Sequence, residues 1–235
     1  MALNTANNTI EYNLSRTSRK NVNITVKNDG YIYVSAPKKV ALADINKIIF
    51  SKRDWILNAQ KNIKSKTVIK NDLTFRSNSN MYIYGNNMKI KVLPADKNKM
   101  FIDKFENEVY FYIKSDRIND QKYKNTYINK MLKEELKSMV SKYMNKYLKL
   151  MNLEVSELEI RTMKTRWGTC IPAKKKILFN FNLIHCPKET IEYVVLHEIA
   201  HLIHPNHSKS FYNTVELYMK DWAERKEQLQ QFVIK

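Results

Sequence analysis

The pentapeptide His197-Glu198-Ile199-Ala200-His201 sets two imidazoles four residues apart with a carboxylate between them, and His207 follows soon after. On a helix, residues four apart share a face, so His197 and His201 can aim ring nitrogens at one ion. Glu198 falls about 100° round the helix from His197, near enough to bond a water on that ion without being a ligand. Two nitrogens to hold a metal, an open position for water and a carboxylate to take its proton are what metal-assisted hydrolysis requires. The expected ion is Zn2+, one per chain.

The third ligand follows from helix geometry. A straight helix would carry residue 207 about 9 Å beyond His201 and onto another face. His207 reaches the ion only if the helix stops and the chain folds back. Pro205-Asn206 supplies that stop, because proline disfavours helix before it and asparagine tolerates left-handed backbone. His207 is therefore the expected third ligand, in the H-E-x-x-H-x5-H spacing of the metzincins, with His204 where those enzymes have glycine. Glu216, on the next helix, is the rival, in a two-His, one-Glu set. His204 lies on the helix line of His197, but three ligands in a row cannot surround one ion, so it reads as an outer or surface group.

An H-E-x-x-H arising by chance is the bland alternative, and the context weighs against it. Pro187 begins the segment Pro187–Leu196, with acids in its first turns, as helix starts do. Ile191, Val194, Val195, Ile199 and Leu202 give that helix an apolar side, so it should be buried. Buried imidazoles and a buried carboxylate are costly unless paired or metal-bound.

Composition bounds the rest. The 235 residues contain 3 glycines and 5 prolines, which leaves no flexible linker or low-complexity tract. No long uninterrupted apolar run suggests a membrane span, and the N-terminus lacks a basic-then-apolar signal pattern. Two thiols, Cys170 and Cys186, stand outside any C-x-x-C, so no disulfide framework is expected and the cytoplasm is the expected compartment. With 41 basic and 23 acidic residues the net charge is +18. A polyanion, most simply nucleic acid, is the functional reading of that charge. Compositional drift is the competing reading, because the chain is rich in Lys, Asn and Ile, and its basic clusters (Arg16-Thr17-Ser18-Arg19-Lys20 and Lys174–Lys176) are short. The salt dependence of binding separates the two. Nothing in the pattern sets an oligomeric state.

The apolar period changes from two to 3.6 near residue 120. Residues 1–119 read as a β-rich region with one helix near 41–63, and 120–235 as the metal-binding core. Asn23–Lys27 and Tyr31–Ser35 alternate around Asn28-Asp29-Gly30 and predict a hairpin. Two more hairpins are expected, Met81–Tyr84 with Met88–Leu93 around Gly85-Asn86-Asn87, and Phe101–Asp103 with Val109–Ile113. A long helix from about Asp120 to Leu150 carries Ile128, Leu132, Leu136, Val140, Tyr143 and Tyr147 on one side. Strands at Leu158–Met163, Thr165–Cys170 and Lys176–Asn182 precede the histidine helix, and a last helix runs from Ser208, its N-cap, into the 220s. An extended peptide could add to an edge of that sheet through backbone hydrogen bonds.

The set Arg166-Trp167-Gly168-Thr169-Cys170, Leu178-Phe179-Asn180, Pro187, Tyr193-Val194-Val195, His197-Glu198, His201, Asn206-His207-Ser208 and Phe211 resembles the YgjP-like metallopeptidase family, related to the SprT and WLM zinc proteases. The N-terminal half shares Arg16-Thr17-Ser18-Arg19-Lys20, Asp29-Gly30, Ala36-Pro37 and Trp55-Ile56, so the likeness spans most of the chain. It implies an α+β fold in which a β-rich half precedes a minimal zincin-like core of small sheet and long helices. It implies zinc on His197, His201 and His207, and a catalytic Glu198. Thr169 stands where serine is usual, and Tyr212 where tryptophan commonly follows the phenylalanine.

The expected function is zinc-dependent hydrolysis of a peptide or protein substrate, with Glu198 as general base. Arg166 and Tyr212 are the candidates for oxyanion or substrate contact, each with the alternative of pairing or packing only. Trp167 and Trp222 read as packing. Two other classes stay open: a nucleic-acid-associated SprT-like protease using its basic surface for targeting, and a zinc-stabilised binding module. A module would have no need of Glu198.

Overall fold

The computed structural model describes residues 1–4, 9–27, 30–64, 67–69 and 75–234. The protein is mixed α+β and divides into two compact units, Met1–Thr67 and Val68–Lys235. The change of periodicity near residue 120 falls inside the second unit. Among the described residues no helix is long and apolar enough to cross a membrane.

In the first unit, β1 (Ala2–Asn4), β2 (Thr9–Thr17), β3 (Asn23–Val26) and β4 (Ile32–Pro37) form a sheet in the order β1-β2-β4-β3. Strands β2 and β4 are parallel and the outer pairs antiparallel. Alternation puts Ile10, Tyr12, Ile32, Val34 and Ala36 on one face, where they pack on Ile45, Ile49 and Ile56. The expected pairing of β3 with β4 is present, while Asn28 and Asp29 of its turn lie outside the described residues. Arg16, from the basic cluster, donates to the carbonyls of Pro37 (2.9 Å) and Val40 (2.6 Å), a structural use of its charge.

The single helix expected near 41–63 is two: α1 (Leu42–Ser51) and α2 (Arg53–Lys64). At Lys52 the N–H bonds back to Ile49 O at 3.1 Å, tightening the turn, and helix resumes from its carbonyl to Ile56 N. Ile45, Ile49 and Ile56 are buried, but Ile48 and Trp55 stay exposed.

The second unit begins with another four-stranded sheet: β5 (Asn80–Ile83), β6 (Asn86–Ala95), β7 (Lys99–Asp103) and β8 (Glu108–Lys114), in the order β5-β6-β8-β7. Again the central pair is parallel and the outer pairs antiparallel. The two sheets thus share order and direction, an internal repeat that the periodicity did not reveal. The β5–β6 turn is Tyr84-Gly85, with φ of 53° and 82°. Positive φ at both central residues is the type I′ signature, and it places the turn one residue earlier than expected.

The sheet buries Met81, Ile83, Met88, Ile90, Val109, Phe111 and Ile113 against α3 (Gln121–Met151). Helix α3 offers Ile128, Leu132, Leu136, Val140, Met144 and Tyr147, spaced mostly four apart along one face. Met144 takes the buried place expected of Tyr143, which is only partly buried. Asp120 caps the helix by accepting from Tyr123 N at 2.9 Å, and Asn152 ends it in left-handed backbone. This sheet and α3 share one hydrophobic core with Ile191, Val195 and Ile199.

After α3 come β9 (Glu157–Arg161), β10 (Gly168–Ile171) and β11 (Lys176–Asn180), in the order β9-β11-β10. Strand β10 starts at Gly168 rather than Thr165 and lies at the sheet edge. Three helices follow: α4 (Lys188–Ala200), α5 (Lys209–Tyr218) and α6 (Trp222–Leu229). The last two replace the single C-terminal helix expected from Ser208, because Met219 adopts extended backbone (φ −151°, ψ 95°) and buries its side chain.

Candidate metal centre and cleft

Helix α4 starts at Pro187 and is held there by the first half of its unit. Tyr84 N donates to Ile184 O at 2.8 Å, Gly85 N to Gly85's partner His185 O at 3.2 Å, and the buried His185 ring holds Tyr82 O at 2.6 Å. A Cβ at Gly85 would meet Pro187 Cγ at 2.8 Å, so this turn needs glycine for its close approach as well as its φ. On the far side, Glu192 of α4 takes Lys146 (2.7 Å) and Tyr147 (2.9 Å) from α3 and Arg225 (2.7 Å) from α6. Helix α4 is pinned from three directions.

Helix α4 ends at Ala200, with His201 at its C-cap and a tightened turn in which Ile203 N and His204 N both bond to Ala200 O. The chain then folds back through Pro205-Asn206, and Ser208 caps α5 by accepting from Phe211 N at 3.4 Å. One ring nitrogen each of His197, His201 and His207 comes together, all within 4.8 Å of one another. His197 Nε2 and His207 Nε2 lie 2.9 Å apart. The other ring nitrogens are engaged away from that point: His201 Nδ1 lies 2.9 Å from His204 O, and His197 Nδ1 lies 3.4 Å from Tyr193 OH. Such contacts fix a ring's orientation and tautomer. His204 thus serves His201 through its main chain, while its own ring bonds Thr214 at 2.9 Å. Glu216 is exposed on α5, outside the histidine cluster.

Burial, then the imidazoles of His201 and His207, then Lys226 push His197 down to about 3, and burial with His201 and Lys226 lowers His207. Both shifts favour the neutral ring, the state that a metal binds. Three imidazole nitrogens without a thiolate or carboxylate form a donor set suited to zinc. Beneath them lies Phe211, fully buried, its ring centroid 4.7–4.9 Å from all three imidazoles.

Glu198 is 6% exposed. Burial raises its carboxyl to about 7, against a backbone hydrogen bond from Cys170 and the charge of Arg166, which both lower it. Its side chain lies against the start of β10. A Cβ on Gly168 would stand 2.6 Å from both Glu198 Cγ and Oε1. Gly168→Ala must therefore displace the carboxylate, since the three atoms nearest the added Cβ all belong to Glu198, while all three histidines are retained. Metal content should stay at the parental level and hydrolysis fall by about 10²-fold, the effect of a roughly 1 Å misplacement. Loss of metal in that variant would show that the glycine serves another purpose.

A cleft of about 680 Å³ opens over these groups, lined by the three histidines, Glu198, Tyr193, Arg166–Cys170 and, from α6, Lys226 and Leu229. Arg166 and Trp167 sit on the loop between β9 and β10, which Asn180 holds in place. The buried Asn180 amide donates to Met163 O and Arg166 O, both at 2.7 Å, and its oxygen accepts from Met163 N and Asn182 N. Tyr212, by contrast, is not among the residues that line the cleft, and its ring lies 6.2 Å from that of His207. Its ring stacks on Trp222 at 4.7 Å, and its hydroxyl accepts from Lys226 Nζ at 3.3 Å. Cys170 lines the cleft as a thiol that burial and then Glu198 raise to about 11, and Cys186 is buried; both are free.

The roles of Gly168, Asn180, Phe211 and Lys226 were missing from the sequence reading. Gly168 had a signal: it is one of only three glycines in the chain, and it stands in the Arg166–Cys170 run that carries the family resemblance. Asn180 and Phe211 stood among the residues of the family resemblance without a role, and Lys226 had no signal, since each role depends on segments brought together by the fold.

The model of the YgjP-like family, described as a metallopeptidase domain, matches residues 20–232. The chain belongs to this family and is a metallopeptidase, a hydrolase that acts on peptide or protein substrates. None of the curated proteins matches it. Among solved structures it is similar to the metallopeptidase zymogen jannalysin of Methanocaldococcus jannaschii, with 23% identity and a TM-score of 0.36 over 39% of this chain and 94% of that one. It is also similar to the metallopeptidase zymogen abylysin of Pyrococcus abyssi, with 19% identity and a TM-score of 0.37 over 41% and 99%.

Proposed function

We propose that the chain is a zinc-dependent peptidase in which His197, His201 and His207 hold one zinc and Glu198 is the general base. All of this chemistry belongs to residues 120–235, the minimal zincin-like core. The observation that carries the reading is the convergence of three imidazole nitrogens within 4.8 Å beside a buried carboxylate, in an open cleft.

Zinc supplies Lewis acidity, which activates water and polarises a carbonyl. The protein supplies the rest. His204 O and Tyr193 OH set the His201 and His197 rings, and Phe211 keeps water from beneath them. Glu198 takes the proton from the attacking water at its carboxylate oxygen and passes it to the leaving amine nitrogen. A carboxyl held near neutrality by burial suits a group that must both take and give a proton. Arg166 and Tyr212 remain the oxyanion candidates. Arg166 is favoured because it lines the cleft, whereas Tyr212 is engaged by Trp222 and Lys226. The edge strand β10, beside Glu198, offers backbone groups along which an extended peptide can lie.

Chelation tests the metal requirement. Hydrolysis of unfolded casein should stop in chelator and return when one equivalent of zinc is added to the dialysed protein. Undiminished hydrolysis by protein shown to be metal-free would overturn the reading.

A further inference from the structure

The cleft is electrically lopsided. Its lining includes two basic side chains, Arg166 and Lys226, and one carboxylate, the buried Glu198 assigned above to proton transfer. The two cations bear on different parts of the centre: the charge of Arg166 acts on Glu198, and that of Lys226 on His197 and His207.

Lys226 and its neighbour Arg225 are engaged differently. Arg225 is consumed internally, bonding Glu192 at 2.7 Å and Asp221 at 2.9 Å, which docks α6 on α4. Lys226 forms no ion pair among the described residues. Its ammonium lies 5.1 Å from the Tyr212 ring centroid and 5.7 Å from that of Trp222, and donates to the Tyr212 hydroxyl at 3.3 Å. One hydroxyl leaves two of the three ammonium donors unused on the protein. An aromatic shelf under the ammonium, a docked helix and two unused donors on a side chain that lines a concave cleft describe a prepared anion contact.

We propose that Lys226 binds a carboxylate of the substrate, so that the cleft selects peptides carrying an acidic side chain or a free C-terminus beside the scissile bond. Peptide substrates offer this anion from only those two sources, and both present the same planar group. This inference deepens the peptidase reading and rests on it.

The test uses the full chain with zinc and short fluorescein-labelled peptides differing only in Glu or Gln next to the cleaved bond, each with a free or an amidated C-terminus. Cleavage is read as kcat/KM. Binding is read independently by fluorescence anisotropy on the Glu198→Gln protein, alone and combined with changes at Lys226. The parent should prefer Glu over Gln by about tenfold, the typical worth of one charged hydrogen bond. Lys226→Met, which keeps the stem over the rings, should bring that ratio to about one, Lys226→Arg should preserve it, and Lys226→Glu should invert it. If the preference follows the free terminus instead of the side chain and is likewise lost in Lys226→Met, the terminal carboxylate is the ligand. A Glu:Gln and free:amide ratio unchanged by Lys226→Met, or a parent preferring the neutral peptides, overturns the proposal. Cleavage of no peptide by the zinc-loaded parent would instead sink the peptidase reading, and the anisotropy ratios would still decide the role of Lys226.

Discussion

Glu198→Gln is expected to fold, keep its metal and lose peptide hydrolysis by roughly 10²–10⁴-fold, the contribution of a general base. The substitution preserves side-chain volume, so the close fit of Glu198 against Gly168 survives. It also preserves an acceptor for the backbone hydrogen bond from Cys170. What it removes is the ability to accept a proton. Because the metal-ligating set proposed here is three imidazoles, neither zinc content nor the melting temperature of the zinc form should fall. Casein cleavage, zinc analysis and a melting curve on the same preparation check all three points. Equal hydrolysis by parent and variant, with both fully loaded, would remove Glu198 from the mechanism. No hydrolysis by either would leave a zinc-stabilised binding module as the better reading.

His207→Ala should weaken zinc binding by more than the roughly 10–100-fold seen when only an outer partner of a ligand is lost. Glu216→Ala should leave affinity within error of the parent. His207 is the one proposed ligand beyond α4 and its C-cap, held by the chain reversal at Pro205-Asn206 and packed on Phe211 at 4.9 Å. Removing its ring leaves two nitrogens on one helix and an open side that the exposed Glu216 does not reach. Competition against a chromogenic chelator measures the affinities. Thermal stability gives a second readout, since a ligand at about 1,000 times its Kd stabilises by about 4.1 kcal/mol and that increment should shrink in His207→Ala. Zinc release from Glu216→Ala but not from His207→Ala would reverse the assignment.

What could be read from the chain was whatever local backbone geometry controls. Four-residue spacing put His197 and His201 on one side of α4, and the same rule, over six side chains, gave α3 its buried stripe with a single exchange, Met144 for Tyr143. Ser208 could be read as a cap because its bond to Phe211 N spans three residues. Pro205-Asn206 marked a stop because proline's effect on the preceding residue is steric and immediate. Breaks that carry no such punctuation were missed, at Lys52 and at Met219, where helix-compatible residues leave the helix.

Everything that depends on segments distant in sequence had to await the tertiary structure. Periodicity identified strands but not the matching order of the two four-stranded sheets, because hydrogen-bond pairing is chosen by which faces meet in the core. It suggested a boundary near residue 120, whereas Val109, Phe111 and Ile113 share a core with α3 and with α4. The sequence by itself determined the paired histidines, the carboxylate beside them and the turn that returns His207, since these are consequences of 3.6 residues per turn and of proline. The tertiary structure decided that Gly168 makes room for Glu198, that Phe211 floors the imidazoles and that Lys226 faces the cleft. Those contacts join residues whose neighbours in sequence say nothing of one another, and only close packing of the folded core brings them within reach.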